Sequence, residues 1–156
     1  MTNEWFSLLI STDDDWTGLV LRAALGLVLF PHTVQKLFGW FDGPGIPGEI
    51  NFMTSKIGLP LAIACLAITV ECGGTLLLLL GCFTRLAAFA LFIQFVVIIR
   101  LVHYRNGFFM NWFSKMEKGR EGFEYHLLVL GLCTAIILEG GGKFSVDLLL
   151  SVSPAH

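Results

Sequence analysis

The sequence predicts an all-α integral membrane protein, a four-helix bundle with interfacial segments in its two long connections. Composition carries half of that prediction. Hydrophobic residues make up 55% of the 156 positions and charged residues only 14%, with a mean hydropathy of +0.76. A soluble domain usually carries about a quarter charged residues, so this chain has too little charge to clothe a water-facing surface. The other half is spacing. The apolar residues fall into four runs, and a helix needs about 20 mostly apolar residues to cross the hydrocarbon core. The formal net charge of −2 sets nucleic acid aside as a partner, since phosphate neutralisation needs a basic surface. No linker long enough to split the chain is present, so one domain over residues 1–156 is expected.

The expected spans are 16–40, 59–81, 84–102 and 122–138. The first is bracketed by Trp16 and Trp40, residues suited to the two membrane interfaces. The second, Leu59 to Gly81, contains one charge, Glu71, and the third, Thr84 to Val102, is flanked by Arg85 and Arg100. The strictly apolar part of the fourth is only Leu127 to Leu138, which puts Glu124 and His126 near its start. Upstream of the first span stand Glu4, Asp13, Asp14 and Asp15, with no Lys or Arg before Arg22. A secretory signal opens with positive charge, so the first span is expected to persist in the mature protein.

Gly81, Cys82, Phe83 and Thr84 join the second and third spans in a tight hairpin. The other two connections are long. Asp42 to Lys56, with Gly43, Pro44, Gly45, Pro47 and Gly48, reads as turns followed by a short surface helix. His103 to Glu121 sets Phe108, Phe109, Met110, Trp112 and Phe113 beside Arg105, Lys115, Lys118 and Arg120, a composition suited to the bilayer surface. Basic residues therefore gather on the face of the long connections, while the opposite face has mainly Arg85 and Lys143. The positive-inside rule then places the long connections in the cytoplasm and both termini outside.

Each ionisable residue inside a span costs about 2.5–3.5 kcal/mol on insertion scales and so asks for a partner. Arg22 and Glu71 differ in depth by about 9 Å when helices of 1.5 Å rise are laid antiparallel, which makes them the expected buried ion pair. On the first span His32, Gln35, Lys36 and Gly39 share a helix face just after Pro31, whose ring breaks the backbone ladder. With Arg100 and His103 closing the third span, and Glu124 and His126 opening the fourth, they form a candidate polar mouth that Asn111 and Trp112 could cover. Snorkelling to headgroups competes as an explanation for Lys36, Arg100 and His103. A haem with two axial histidines is disfavoured by the unequal depths of His32 and His126 and by the adjacent Lys36 and Glu124. Cys65, Cys72, Cys82 and Cys133 form no CxxC pair and read as small apolar side chains; no metal site is expected. Gly18, Arg22 and Gly26, and Ala64, Ala67, Glu71, Gly74, Leu78 and Gly81, recur at helical spacing, as closely packed helices in lipid require.

In order along the chain, these residues resemble the DoxX family, related to the DoxX/SURF4 group. The resemblance rests on Arg22 with Gly26, His32 to Gly39, Glu71 to Gly74, Leu80 with Gly81, Thr84 to Ala88, Phe108 to Trp112, Gly122 to Leu128, and Gly140 to Asp147. Thr33 stands where the family pattern has glycine. The resemblance implies a small four-helix protein of the bacterial cytoplasmic membrane. Some members are associated with quinone-linked sulfur oxidation, as a small subunit of a thiosulfate:quinone oxidoreductase. Others are linked to membrane oxidoreductase complexes that handle thiol or oxidative stress. No catalytic residue carries over from the resemblance.

Two functions are then expected to compete. One is a membrane subunit of an oxidoreductase assembly, binding a quinone near His32, Lys36, Glu124 and His126 and contacting a soluble or membrane redox subunit. The other is a non-catalytic anchor or assembly factor, in lipid alone or as a homo-oligomer, whose polar residues only fix the bundle. A transporter is less favoured because no inverted repeat is visible.

Overall fold

The computed structural model describes residues 4–111, 113 and 120–152; Trp112, Lys115 and Lys118 lie outside the described residues. The regular elements are all helices, without strands among the described residues. The α-helices are α1 (Glu4–Ile10), α2 (Trp16–Phe38), α3 (Gly45–Asn51), α4 (Leu61–Leu80), α5 (Thr84–Ile98), α6 (Glu124–Glu139) and α7 (Val146–Val152). Helices α2, α4, α5 and α6 close a ring in which each packs on two others, α2 on α4 and α6, α5 on α4 and α6. Consecutive members run antiparallel. One end therefore holds the α4–α5 turn, the α6–α7 loop and α1, and the other holds both long connections.

Among the described residues, Trp16–Phe38, Leu61–Leu80 and the continuous helical stretch Thr84–Asn106 are long and apolar enough to cross a membrane. The fourth bundle member, α6, has 16 residues, about 24 Å at 1.5 Å per residue, against a hydrocarbon core of about 30 Å. The outward faces carry large apolar side chains, with Leu27 65%, Leu66 56%, Phe89 53% and Leu128 67% exposed. In a protein without surrounding lipid such a belt has no solvent. The chain is thus a multi-pass membrane protein whose outer surface contacts the bilayer.

Local rules set the element ends. Asp15 caps α2 by accepting from the Gly18 amide at 2.9 Å, the usual role of an aspartate there. Pro31 sits inside α2 without ending it. At the end of α4, Gly81 takes a left-handed φ of 66°. The Cys82 amide donates to the Leu77 carbonyl at 3.0 Å and the Gly81 amide to the Leu78 carbonyl at 3.1 Å. This is a Schellman stop, and it makes the expected hairpin tight. The core between the ring helices contains Leu25, Leu29, Leu78, Leu91, Phe95, Val129 and Ile136. A smaller cluster of Met53, Ala64 and Ile68, with Leu37 and Ile50 against it, packs the first long connection back onto α4.

Small residues allow close contact at the hairpin end. A Cβ on Gly18 would lie 2.6 Å from the Gly142 backbone nitrogen, and one on Gly81 2.5 Å from the Ser145 Cβ. Into this packed end projects Arg22, only 3% exposed. Its Nε donates to the Gly141 carbonyl at 2.8 Å and its Nη1 to Leu79 at 2.9 Å, with Leu78 further at 3.4 Å. Its Nη2 donates to Lys143 at 2.9 Å and Phe144 at 3.0 Å. The expected Arg22–Glu71 ion pair is therefore corrected: Arg22 binds backbone carbonyls, and Glu71 pairs with Lys36 at 2.7 Å. The reason is register. The fourteen residues from Arg22 to Lys36 span about 21 Å of α2, so the helix registry that sets Lys36 beside Glu71 leaves Arg22 at the opposite end of α4.

Asp147, 1% exposed, completes the same end. Its carboxylate accepts from the Phe83 amide at 2.7 Å, the Thr84 amide at 2.8 Å and the Thr84 hydroxyl at 2.6 Å. It caps α5 from 63 residues away. Replacing Arg22 with Met orphans carbonyls in a dry site. We predict a loss of at least about 2 kcal/mol of stability, read as a lowered Tm in detergent. Arg22→Lys should recover little of it, because an ammonium lacks the planar fork that reaches several acceptors. A Tm unchanged in Arg22→Met would sink this assignment.

Candidate functional site

The polar site lies at the opposite end, beneath the long connections. A cavity of about 320 Å³ is lined by His32 and Lys36 of α2, Glu71 of α4, Phe95 and Ile98 of α5, and Tyr125 and His126 of α6, with His103, Met110 and Glu121 from the covering segment. Helical spacing explains the α2 contribution, since His32 and Lys36 are one turn apart. The structure thus brings together His32, Lys36, His103 and His126 from the sequence-predicted mouth.

The remaining predicted members have other places. Gln35 donates to the Phe41 carbonyl at 3.3 Å and so supports the turn after α2. Arg100 is exposed, and its guanidinium lies 5.7 Å from the Tyr104 ring centroid. Glu124 is near the mouth without lining it, and its carboxylate accepts from the Met110 amide at 3.1 Å. Asn111 is half-buried and follows Met110 in the covering segment. Glu71, expected deep in the interior beside Arg22, is part of the mouth instead.

Charge in the site is organised around Lys36. Its ammonium is 2.7 Å from Glu71 Oε2 and 3.5 Å from Glu49 Oε1. Glu71 Oε2 also accepts from Gln94 Nε2 at 2.9 Å. Glu49 comes from α3, so the ion pair ties the first long connection to the bundle. Sequence reasoning missed Glu49, Gln94, Tyr125 and Glu121. Gln94 left a readable signal, for it is the one amide or charged side chain between Arg85 and Arg100. Glu49 left none, because a carboxylate in a loop usually faces water.

The covering segment is built from backbone pairing. After α5 the helix continues as a π turn over Ile99–His103 and a short 3₁₀ turn over Tyr104–Asn106. The Gly122 amide donates to Phe109 at 3.0 Å, Phe123 to Gly107 at 3.2 Å and Glu124 to Phe108 at 2.9 Å. His103 Nδ1 is 2.7 Å from the Glu121 carbonyl. A carbonyl only accepts, so His103 Nδ1 carries a proton and donates it to this bond. Phe109 is 71% and Phe113 82% exposed, and both suit the interfacial role expected of this segment.

Aromatic rings line the wall. The His103 and His126 centroids are 4.2 Å apart, Phe95 and His126 5.7 Å, and His32 and Tyr125 6.2 Å. His103 and His126 are thus in ring contact, tilted by 40° to each other. His126 Nδ1, the Tyr125 hydroxyl and Gln94 Oε1 are buried without a hydrogen-bond partner among the described residues. Each such group costs about 1–3 kcal/mol. The site therefore offers both donors and acceptors beside an aromatic wall. It can hold a flat, uncharged ring that bears oxygen substituents.

The ion-pair assignment has its own test. Lys36→Met should destabilise the protein by about 3 kcal/mol, because it leaves Glu71 buried without a cation. Adding Glu71→Leu should recover most of that loss. The Arg22→Ala and Glu71→Ala effects should instead add within about 0.5 kcal/mol, as expected of sites without shared partners. Thermal unfolding of the singles and doubles decides it; strong coupling between Arg22 and Glu71 would contradict the register described here.

Residues 18–104 match the family model for DoxX, a stretch running from the first turn of α2 to the first residue of the 3₁₀ turn and containing Arg22, His32, Lys36, Glu71, Gln94 and His103. No curated protein matches, and no solved structure does. The matched stretch covers more than half of the 156 residues. The chain belongs to the DoxX family.

Proposed function

We propose that this protein is the membrane subunit of an oxidoreductase assembly, quinone-linked or serving thiol and oxidative-stress chemistry, and that its polar pocket holds a quinone ring. The observation that carries the reading is the pair of buried groups without a hydrogen-bond partner among the described residues, His126 Nδ1 and the Tyr125 hydroxyl, on residues that line a cavity of about 320 Å³. Native proteins rarely leave such groups unpaired without a use. A quinone takes up two electrons and two protons to become a quinol. The electrons would come from a partner redox subunit, soluble or membrane-bound. This chain would supply the pocket, the orientation and the protons. Tyr125 is a hydroxyl donor for a ring oxygen, and His32, His103 and His126 are groups able to pass protons.

Orientation and location belong to the same proposal. Lys56, Arg105 and Arg120 lie on the face of the long connections, with Lys36 and Arg100 near it, whereas Arg85 and Lys143 lie at the hairpin end. That bias favours a bacterial inner membrane protein with its pocket end in the cytoplasm and its termini outside. A redox partner on the cytoplasmic side would meet the segment that bears Phe109 and Phe113.

A second reading, an anchor or assembly factor without chemistry, is favoured by the hairpin end. There Arg22 and Asp147 are fully occupied in holding backbone. One substitution separates the two readings. His126→Leu removes an unpaired nitrogen and keeps an apolar side chain of similar reach. For a pure anchor it should raise the Tm and leave partner activity intact. For a quinone site it, like His32→Ala, should weaken quinone binding about tenfold or more, the effect of about 1.4 kcal/mol. Binding is read by quenching of tryptophan fluorescence in nanodiscs. A protein with neither quinone binding nor a quinone-linked activity dependent on His32 overturns the proposal.

A further inference from the structure

A second cavity, about 340 Å³ and almost wholly apolar, opens between α4 and α5 on the lipid side. Its walls include Ile63 and Ala67 of α4 and Ala90, Gln94 and Ile98 of α5. Two of these residues connect it to the polar mouth. Ile98 lines both cavities. Gln94 lines the groove and donates to Glu71, which lines the mouth. The partition between the two spaces is thus an isoleucine side chain and one amide.

We propose that this groove is the tail channel of the polar pocket, so that the ligand is a quinone with a long isoprenoid chain, its ring beneath the covering segment and its chain leaving between α4 and α5. The inference rests on the quinone reading above and narrows its substrate class. Three features of the site support it. The groove and the pocket share Ile98 as a wall and meet at the Gln94–Glu71 hydrogen bond, so a rotamer change of Ile98 and Gln94 would let one molecule fill both. Glu71 fixes the Gln94 amide by accepting from Nε2, which leaves Oε1, buried and without a partner among the described residues, as an acceptor for a quinol hydroxyl. And Lys36, the one Lys or Arg among the described lining residues, is already paired with Glu71 and Glu49, so those residues leave no free ammonium or guanidinium for a phosphate or carboxylate head. A charged head entering from the lipid side would also bear the cost of crossing hydrocarbon, about 2.5–3.5 kcal/mol on insertion scales. A neutral ring does not. The tail contributes by area, since each methylene withdrawn from water stabilises by about 0.8 kcal/mol; within a bilayer only shape-matched packing remains, so the groove selects chains by fit.

The test compares two probes on the purified full chain in nanodiscs, a tail-less benzoquinone and a quinone with an isoprenoid tail of several units. Ala90→Phe fills the groove from α5, and Ile63→Trp fills it from α4 should the first variant fold poorly. Either substitution should lower the ratio of long-tail to tail-less affinity about tenfold (about 1.4 kcal/mol). Leu128→Phe, on the far face of α6 and 67% exposed, should leave the ratio unchanged. A ratio unmoved by both groove variants overturns the tail channel while leaving the pocket reading standing. A native chain that binds neither probe overturns the pocket reading and the channel together. Extraction of a tightly held phospholipid or fatty acid displaced by Ala90→Phe also overturns the proposal, because it gives the groove to a different lipid.

Discussion

The rest of the structure depends on one guanidinium. Arg22 is buried among helices, makes no carboxylate ion pair among the described residues, and is satisfied by carbonyls of the α4 terminus and of the Gly141–Phe144 loop. The last carbonyls of a helix have no partner inside it and carry the negative end of its dipole. A cation placed there meets charge of the right sign without needing an anion. Asp147 does the reverse on the adjoining helix. Its carboxylate accepts the orphan amides at the start of α5, where the dipole end is positive. One hairpin thus has a cation on its outgoing end and an anion on its incoming end, both supplied by distant segments. In hydrocarbon, where unsatisfied backbone groups cost several kcal/mol, this arrangement closes one end of the bundle completely.

Closure at that end frees the other. The four ring helices are held in register by the Arg22 and Asp147 caps and by glycine contacts that tolerate no Cβ, such as Gly18 against Gly142. The opposite end can then carry two long connections and a polar cavity. There, helix ends are held by side chains that leave functional groups over. Lys36 joins α2, α4 and α3 through Glu71 and Glu49, and His103 binds the covering segment through Glu121. Structure and candidate chemistry are therefore segregated along the membrane normal.

That segregation also explains what could be read in the sequence. The fold class was legible because lipid imposes composition and run length, and the hairpin because Gly81 stands between two apolar runs. His32, Lys36 and Glu71 announced themselves as polar residues in apolar spans. Their partners did not. Carbonyl acceptors have no residue signature, so Arg22 looked in need of a carboxylate and was matched with Glu71, the one acid in the second span. The depth count assumed level helix ends. The first long connection breaks that assumption, because α3 and the π turn after it fold against α4 before the helix begins. Gln35 misled for a related reason: it lies near the mouth-facing helix surface, yet a turn carbonyl from Phe41 is nearer.

The same cluster that misled the pairing suits the proposed chemistry. One cation between two carboxylates carries a surplus negative charge. A proton added to Glu71 or Glu49 leaves Lys36 still paired with the other acid, and the site becomes neutral. A simple Lys–Glu pair lacks this property, since a proton there strands a buried cation, at a cost of several kcal/mol. Gln94 adds to the cluster, its amide donating a hydrogen bond to Glu71. A pocket that must deliver protons to a neutral ring in hydrocarbon needs a store that is neutral when loaded and paired when empty. Lys36 between Glu49 and Glu71 suits both conditions, which is a physical reason for three charged side chains to lie together at the proposed quinone pocket.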